Sequence, residues 1–137
     1  MTAAAAAAAP GRGILHHVEL QSLDLPTTIP AFDWLLGELG YEPFQEWPDG
    51  RSWRRDATYI VLAAAPRAGA HDRRTAGLSH LAFHAGTRAD VDRLWELAPQ
   101  HGWRRLYTER HPYAGGETHY AGFLENAERF KVELVAA

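Results

Sequence analysis

The chain has 137 residues, enough for one domain with a real hydrophobic core. A net charge of −3 gives no basic surface for nucleic acid, and no apolar run approaches the roughly 20 residues that cross a bilayer. The absence of cysteine removes any disulfide frame or thiolate metal site and fits a reducing, cytoplasmic setting.

Residues 1–12 are Ala-rich, lack the basic start of a signal peptide and read as a disordered tail before a single domain over 13–137. The first predicted strand, 14–22, alternates: Ile14, Val18 and Leu20 on one face, His17, Glu19 and Gln21 on the other. This phase sends His16 toward the apolar, helix-packed side. After Leu25-Pro26, Thr27 or Thr28 is placed to cap a helix with Pro30 in its first turn. Phe32, Leu35, Leu36 and Leu39 form its apolar stripe, and Gly40 ends it. Strands are predicted at 41–47, 51–55 and 57–65, with a turn at Pro48-Asp49-Gly50.

Residues 66–77 (PRAGAHDRRTAG) are small and polar and read as a linker between two modules, 13–65 and 78–137. The strand 78–85 sets His80, Ala82 and His84 opposite Leu81 and Phe83. Thr87 caps the next helix, with Asp90 at the capping-box position; Val91, Leu94, Trp95 and Ala98 are its buried stripe, and Gly102 ends it. Strands follow at 103–109, 118–124 and 130–136. In the last, Lys131, Glu133 and Val135 oppose Phe130, Val132 and Leu134.

The order is therefore β-α-β-β-β twice, with His17 and His80 offset by 63 positions. One such unit cannot cover both faces of its sheet, whereas two can curl into a cupped mixed sheet with helices outside and a pocket inside, an α+β fold. Three strands then carry His17, His80 or Glu133 opposite an apolar face. Two imidazoles and a carboxylate suit a divalent metal with open coordination positions: Fe, Mn, Ni, Co or Zn. Simpler readings stand beside this one. His16 competes with His17, His80 can be a satisfied buried histidine, and Glu133 can pair with Lys131.

The segments LHHVELQSLDL (15–25), GLSHLAFHA (77–85) and HYAGFLENAERFKVELVA (119–136) resemble the vicinal oxygen chelate superfamily of glyoxalases, bleomycin and fosfomycin resistance proteins, extradiol dioxygenases and methylmalonyl-CoA epimerase. The resemblance implies metal ligands at His17, His80 and Glu133. It often implies a fourth ligand on the last strand of the first module, but 57–65 offers no carboxylate, Gln or His there. The three-ligand set looks like the dioxygenases and fosfomycin enzymes. The Asp-Pro-x-Gly turn of the family is replaced by Glu125-Asn126-Ala127-Glu128-Arg129, and the dioxygenase tyrosine position by Phe123 or Gly122.

Candidate acid–base groups are Tyr120, His119 and Glu19. His84 and Gln21 share faces with the ligands, and Trp47, Trp53, Tyr59, Trp103 and Tyr113 are candidates to line a pocket for a flat molecule. Arg54, Arg55, Arg104 and Arg105 either meet an anionic substrate or are solvated. The leading expectation is a metal-dependent enzyme acting on a small molecule with vicinal oxygens. The rivals are a protein that sequesters an antibiotic or toxin, and a regulatory module with vestigial ligand positions. A homodimer is implied by the resemblance, with a site built within one chain or across two; neither nucleic acid nor membrane is expected as a partner.

Overall fold

The computed structural model describes residues 9–137. Most of the expected Ala-rich tail lies outside the described residues. The first module comprises β1 (His17–Ser22), α1 (Leu25–Glu38), β2 (Glu42–Trp47), β3 (Gly50–Arg55) and β4 (Thr58–Ala64). The second comprises β5 (Leu81–His84), α2 (Arg88–Leu97) continuing into a 3-10 turn (Ala98–His101), β6 (Arg104–Leu106), β7 (Ala121–Glu125) and β8 (Lys131–Val135). The strand orders are β1-β4-β3-β2 and β5-β8-β7-β6. In each module the first strand runs parallel to the last, and the other pairs are antiparallel. The fold is α+β, as expected, and consists of two four-stranded mixed sheets; among the described residues no ladder joins β1 to β5.

The alternation places the strands correctly but not their ends. Just before β1, His16 O and Leu15 O still accept from Tyr59 N at 3.1 Å and Thr58 Oγ1 at 2.7 Å, but Ile14 and Leu15 are 65% and 63% exposed. Helix α1 begins earlier than Thr27 or Thr28 would allow, because Asp24 is the N-cap and its carboxylate accepts from Thr27 N. Thr28 is consequently fully buried inside the helix. Helix α2 starts at Thr87 with a complete capping box: Asp90 N donates to Thr87 Oγ1 at 3.1 Å, and Thr87 N donates to Asp90 Oδ2 at 2.9 Å. Gly102 closes its end with φ 87°, which a Cβ-bearing residue adopts only with strain.

One core runs through both modules. Phe32 of α1 meets Trp103 and Phe130 edge-on, at 5.1 and 6.2 Å between ring centres. Trp103 Nε1 donates to Ala31 O at 2.9 Å. A second tie is polar. Glu128 reaches from the turn between β7 and β8 to the start of α1, where Leu23 N donates at 2.7 Å and the hydroxyls of Ser22 and Thr28 also donate. Both hydroxyl residues are buried, so this carboxylate supplies them the acceptor that water does not. It also sits at the positive end of the helix dipole.

His111 lies flat on Trp95, with ring centres 3.7 Å apart and planes 4° apart. Its burial holds the imidazole below the ordinary histidine range, with the charge of Arg105 pushing the same way and Asp92 and Glu96 opposing.

Two outcomes are expected. Glu128→Ala leaves two buried hydroxyls and the Leu23 amide without their acceptor, and chemical denaturation is expected to show a loss of about 1.5–3 kcal/mol. For His111 the folded pKa is depressed, so its contribution to stability is present above about pH 6.5 and is lost as pH falls from there through the folded value. His111→Phe keeps the stack, and its Tm is expected to decline less than that of wild type over that acid window.

Candidate active site

Glu133 lies in the middle of β8, between Ala82 of β5 and Phe123 of β7 in the ladder. Val132 and Leu134 on the opposite face enter the core, which fixes the side on which Glu133 emerges. The residue is only 8% exposed. His80, just before β5, brings Nε2 to 3.0 Å from Glu133 Oε1. His119, just before β7, brings Nε2 into hydrogen-bond contact with Oε2. An ionised carboxylate only accepts, so Nε2–H of His80 donates, and its Nδ1, 2.9 Å from Ser79 Oγ, is left to accept the serine hydroxyl.

Lys131 does not pair with Glu133. Its ammonium donates to the Tyr107 hydroxyl at 2.9 Å and lies over the rings of Tyr107 and Phe123. The other carboxylate of this face, Glu125, is bound by Arg73 and Arg104, with Arg129 at 3.9 Å. Among the described residues the ion-pair partners of Glu133 are the two imidazoles.

His17 stands elsewhere, on the open face of the first sheet with Glu19 and Gln21. It stacks on Tyr59 at 4.8 Å, with the rings 3° from parallel. Among the described residues no three His, Asp or Glu side chains are placed to share one metal ion. His17, His80 and Glu133 are thus not assembled within one chain. His16 also departs from expectation. It precedes β1, escapes the strand's alternation and remains exposed, with its Nδ1 2.9 Å from His17 Nδ1 and its ring edge-on to Tyr59.

Other candidates are corrected by their contacts. Trp53 is 1% exposed, with Nε1 donating to Asp33 Oδ1 at 2.8 Å, and Trp103 is bound to α1; both are core residues, and Trp103 also borders a cavity of about 550 Å³ beside Pro99 and Glu125, away from Glu133. Tyr120 is on the helix side of the second sheet, where its hydroxyl donates to Asp92, and that bond raises its pKa above the usual phenol range. It does not face Glu133. Tyr113 is exposed and edge-on to Tyr120. Trp47 lies near the start of α1, beside Leu25 and Ile29. Glu19 and Gln21 line a cavity of about 670 Å³ with the linker, and His84 lines another of about 520 Å³ with Tyr41 and Arg55. Arg54 covers Phe44, Arg55 donates to Leu39 O, Arg104 binds Glu125 and Arg105 donates to Trp95 O.

Sequence reasoning missed Ser79 and Tyr107. Ser79 has only its position beside His80 as a signal. Tyr107 was concealed by the predicted strand 103–109, which ends at Leu106 where Tyr107 takes φ 55°.

Comparison with known proteins agrees with this architecture. No family model matches the sequence. The uncharacterised protein YqjT of Bacillus subtilis strain 168 is 44% identical over 125 residues, spanning 89% of this chain and 98% of the relative. A crystal structure from Bacillus halodurans, provisionally named a glyoxalase, is 45% identical with a TM-score of 0.88, covering 92% of this chain and 97% of the other. A glyoxalase/bleomycin resistance protein from Albidiferax ferrireducens T118 shares the fold at 18% identity and a TM-score of 0.73, over 91% and 99% of the two chains. The chain belongs to the vicinal oxygen chelate superfamily, the glyoxalase/bleomycin resistance/dioxygenase proteins. No helix among the described residues is long and apolar enough to cross a membrane.

The reassignment of Trp103 is testable. Trp103→Phe removes the indole donor from Ala31 O, which keeps its helical bond, and leaves unfilled volume, at an expected cost of about 1–3 kcal/mol by denaturant titration. Metal content and small-molecule binding of the folded variant are expected to match wild type.

Proposed function

We propose that the protein is a metal-dependent enzyme acting on a small molecule with vicinal oxygens, and that its site is completed in a homodimer, where His17 of one protomer joins His80 and Glu133 of the other. The observation that carries this reading is Glu133: a nearly buried carboxylate that, among the described residues, has no Lys or Arg counter-ion and is met by imidazole nitrogens on both oxygens. A buried carboxylate is costly unless its charge is answered. Imidazoles answer it with protons that a divalent cation can replace, and the nitrogen and oxygen donors suit such an ion.

His80, Glu133 and His17 would hold the ion. When bound, it supplies a Lewis acid on which two adjacent substrate oxygens are held and polarised. The protein groups then have separable tasks. His80 would shift its ring proton from Nε2 to Nδ1, so that Nδ1 donates and Ser79 Oγ turns from donor to acceptor, which orients the ring. Glu133 contributes the negative charge. His119, bonded to the second carboxylate oxygen, would hold Glu133 in its orientation. Phe123, next to Glu133 in the ladder, gives the floor an apolar surface. The separation of His17 from this group within one chain supports the shared arrangement, because both donor-bearing faces are then available to a second protomer.

Metal analysis after chelation and reconstitution tests the site. Wild type is expected to take up a divalent ion, and His17→Ala and Glu133→Gln are each expected to lose it while staying folded. Random mixing of these two variants yields heterodimers with one doubly substituted and one intact site, restoring about a quarter of the wild-type metal. Loss in the single variants without restoration on mixing would disprove the shared site. Undiminished metal in Glu133→Gln would disprove the metal reading itself. Tight binding of an aromatic antibiotic that persists in the His17/His80 double variant, with no turnover, would favour sequestration.

A further inference from the structure

The face that carries Glu133 holds a second polar group. At the end of β6 the backbone of Tyr107 enters the left-handed region, with φ 55°. Bulky residues seldom adopt this conformation, and it persists only where surrounding contacts impose it. The turn sets the Tyr107 ring edge-on to Phe123, at 5.4 Å between centres, and Phe123 is the ladder neighbour of Glu133 and also meets the His80 ring at 6.1 Å. Tyr107 and His80 therefore flank the same phenyl group.

The charges around this phenol share one sign. Lys131 of β8 donates to the hydroxyl at 2.9 Å and also lies over the ring, 4.9 Å from its centre. Arg110, from the following turn, covers the ring at 5.1 Å. Arg73, from the linker, approaches while its charge is shared with Glu125. Glu125 is itself the ladder neighbour of Lys131 and is bound by Arg73 and Arg104. The hydrogen bond from Lys131 is the main cause that holds the Tyr107 phenol below the usual tyrosine range. The charges of Lys131 and Arg73 act the same way, and partial burial opposes them.

Resting on the enzyme reading above, we propose that Tyr107 is the acid–base residue of the site. Its Oη proton passes to the substrate atom that gains negative charge, and the phenolate left behind is held by the Lys131 ammonium. In the reverse sense the phenolate takes a proton from a substrate hydroxyl or acidic carbon, becoming phenol again. No other co-reactant is needed. The role falls to Tyr107 because Tyr120 is turned toward Asp92 on the far side of the sheet, and His119 is engaged by Glu133.

The first test needs neither substrate nor metal. The protein has five tyrosines, and ultraviolet titration of wild type minus Tyr107→Phe is expected to show one phenol ionising before the other four. Lys131→Met is expected to return that phenol to the range of the others. The second test uses catechol, whose two adjacent hydroxyls must lose protons to bind a metal. On metal-loaded protein at neutral pH, Tyr107→Phe is expected to weaken catechol binding at least about tenfold with metal content unchanged. Tyr107 titrating with the other phenols, or catechol affinity unchanged in Tyr107→Phe, would overturn the assignment. Failure of the metal site shows instead as wild-type protein that takes up no metal, so the two failures are told apart.

Discussion

The packing of α1 against the second module is the constraint on which the rest depends. Phe32, fully buried, meets Trp103 and Phe130, and the Trp103 indole is tied to the helix backbone at Ala31. Glu128 adds a polar clasp at the other end of the same helix. With the helix layer shared in this way, the apolar sides of both sheets turn toward one core and their polar sides turn away from it. His17, Glu19 and Gln21 are consequently on one open face and Glu133 on another. A common core for two repeated modules is thus what divides the donors between two surfaces.

The regularity of the strands made much of this legible. Period-two alternation put Val18 and Leu20, or Val132 and Leu134, on the buried side, and ladder registry then fixed His17 and Glu133 on the other. Where the chain leaves regular pairing, alternation stops informing. His16 lies one residue before β1 and obeys no strand phase. The residue pattern predicts strand over parts of 107–120, yet the segment is a run of turns that delivers His119 to Glu133 and Tyr107 to Lys131. Neither contact has a period in the sequence, because each is made between residues many positions apart by loop geometry alone.

Aromatic residues misled for a different reason. Tryptophan has an apolar body and one donor, so a pocket and a core make the same demand on composition. For Trp53 and Trp103 the donor decides the matter. Each indole N–H meets an acceptor on α1, Asp33 or Ala31, and is thereby drawn beneath the helix. Only a three-dimensional acceptor separates the two uses. The Asp24 cap is a milder case. Two threonines downstream have equally good capping chemistry, but the acceptor offered by Glu128 takes Thr28 into the core and leaves the cap to Asp24.

The two buried carboxylates of the second sheet show how the chain separates stability from chemistry. Glu125 and Glu133 are on neighbouring strands of one sheet and both are nearly inaccessible to water. Glu125 is answered by arginines, whose charge persists at every accessible pH, so that pair is permanent. Glu133 is answered by histidines, which can surrender a proton, turn a nitrogen lone pair outward and exchange a hydrogen bond for another ligand. Lys131, opposite Glu125 in the ladder and two residues before Glu133, pairs with neither, because the Tyr107 hydroxyl takes its ammonium. Had Lys131 closed on Glu133, the charge there would have been neutralised by a strongly basic amine and the carboxylate would have become a structural group. Its diversion to Tyr107 keeps Glu133 among exchangeable partners, and gives the phenol the cation that stabilises its ionised form.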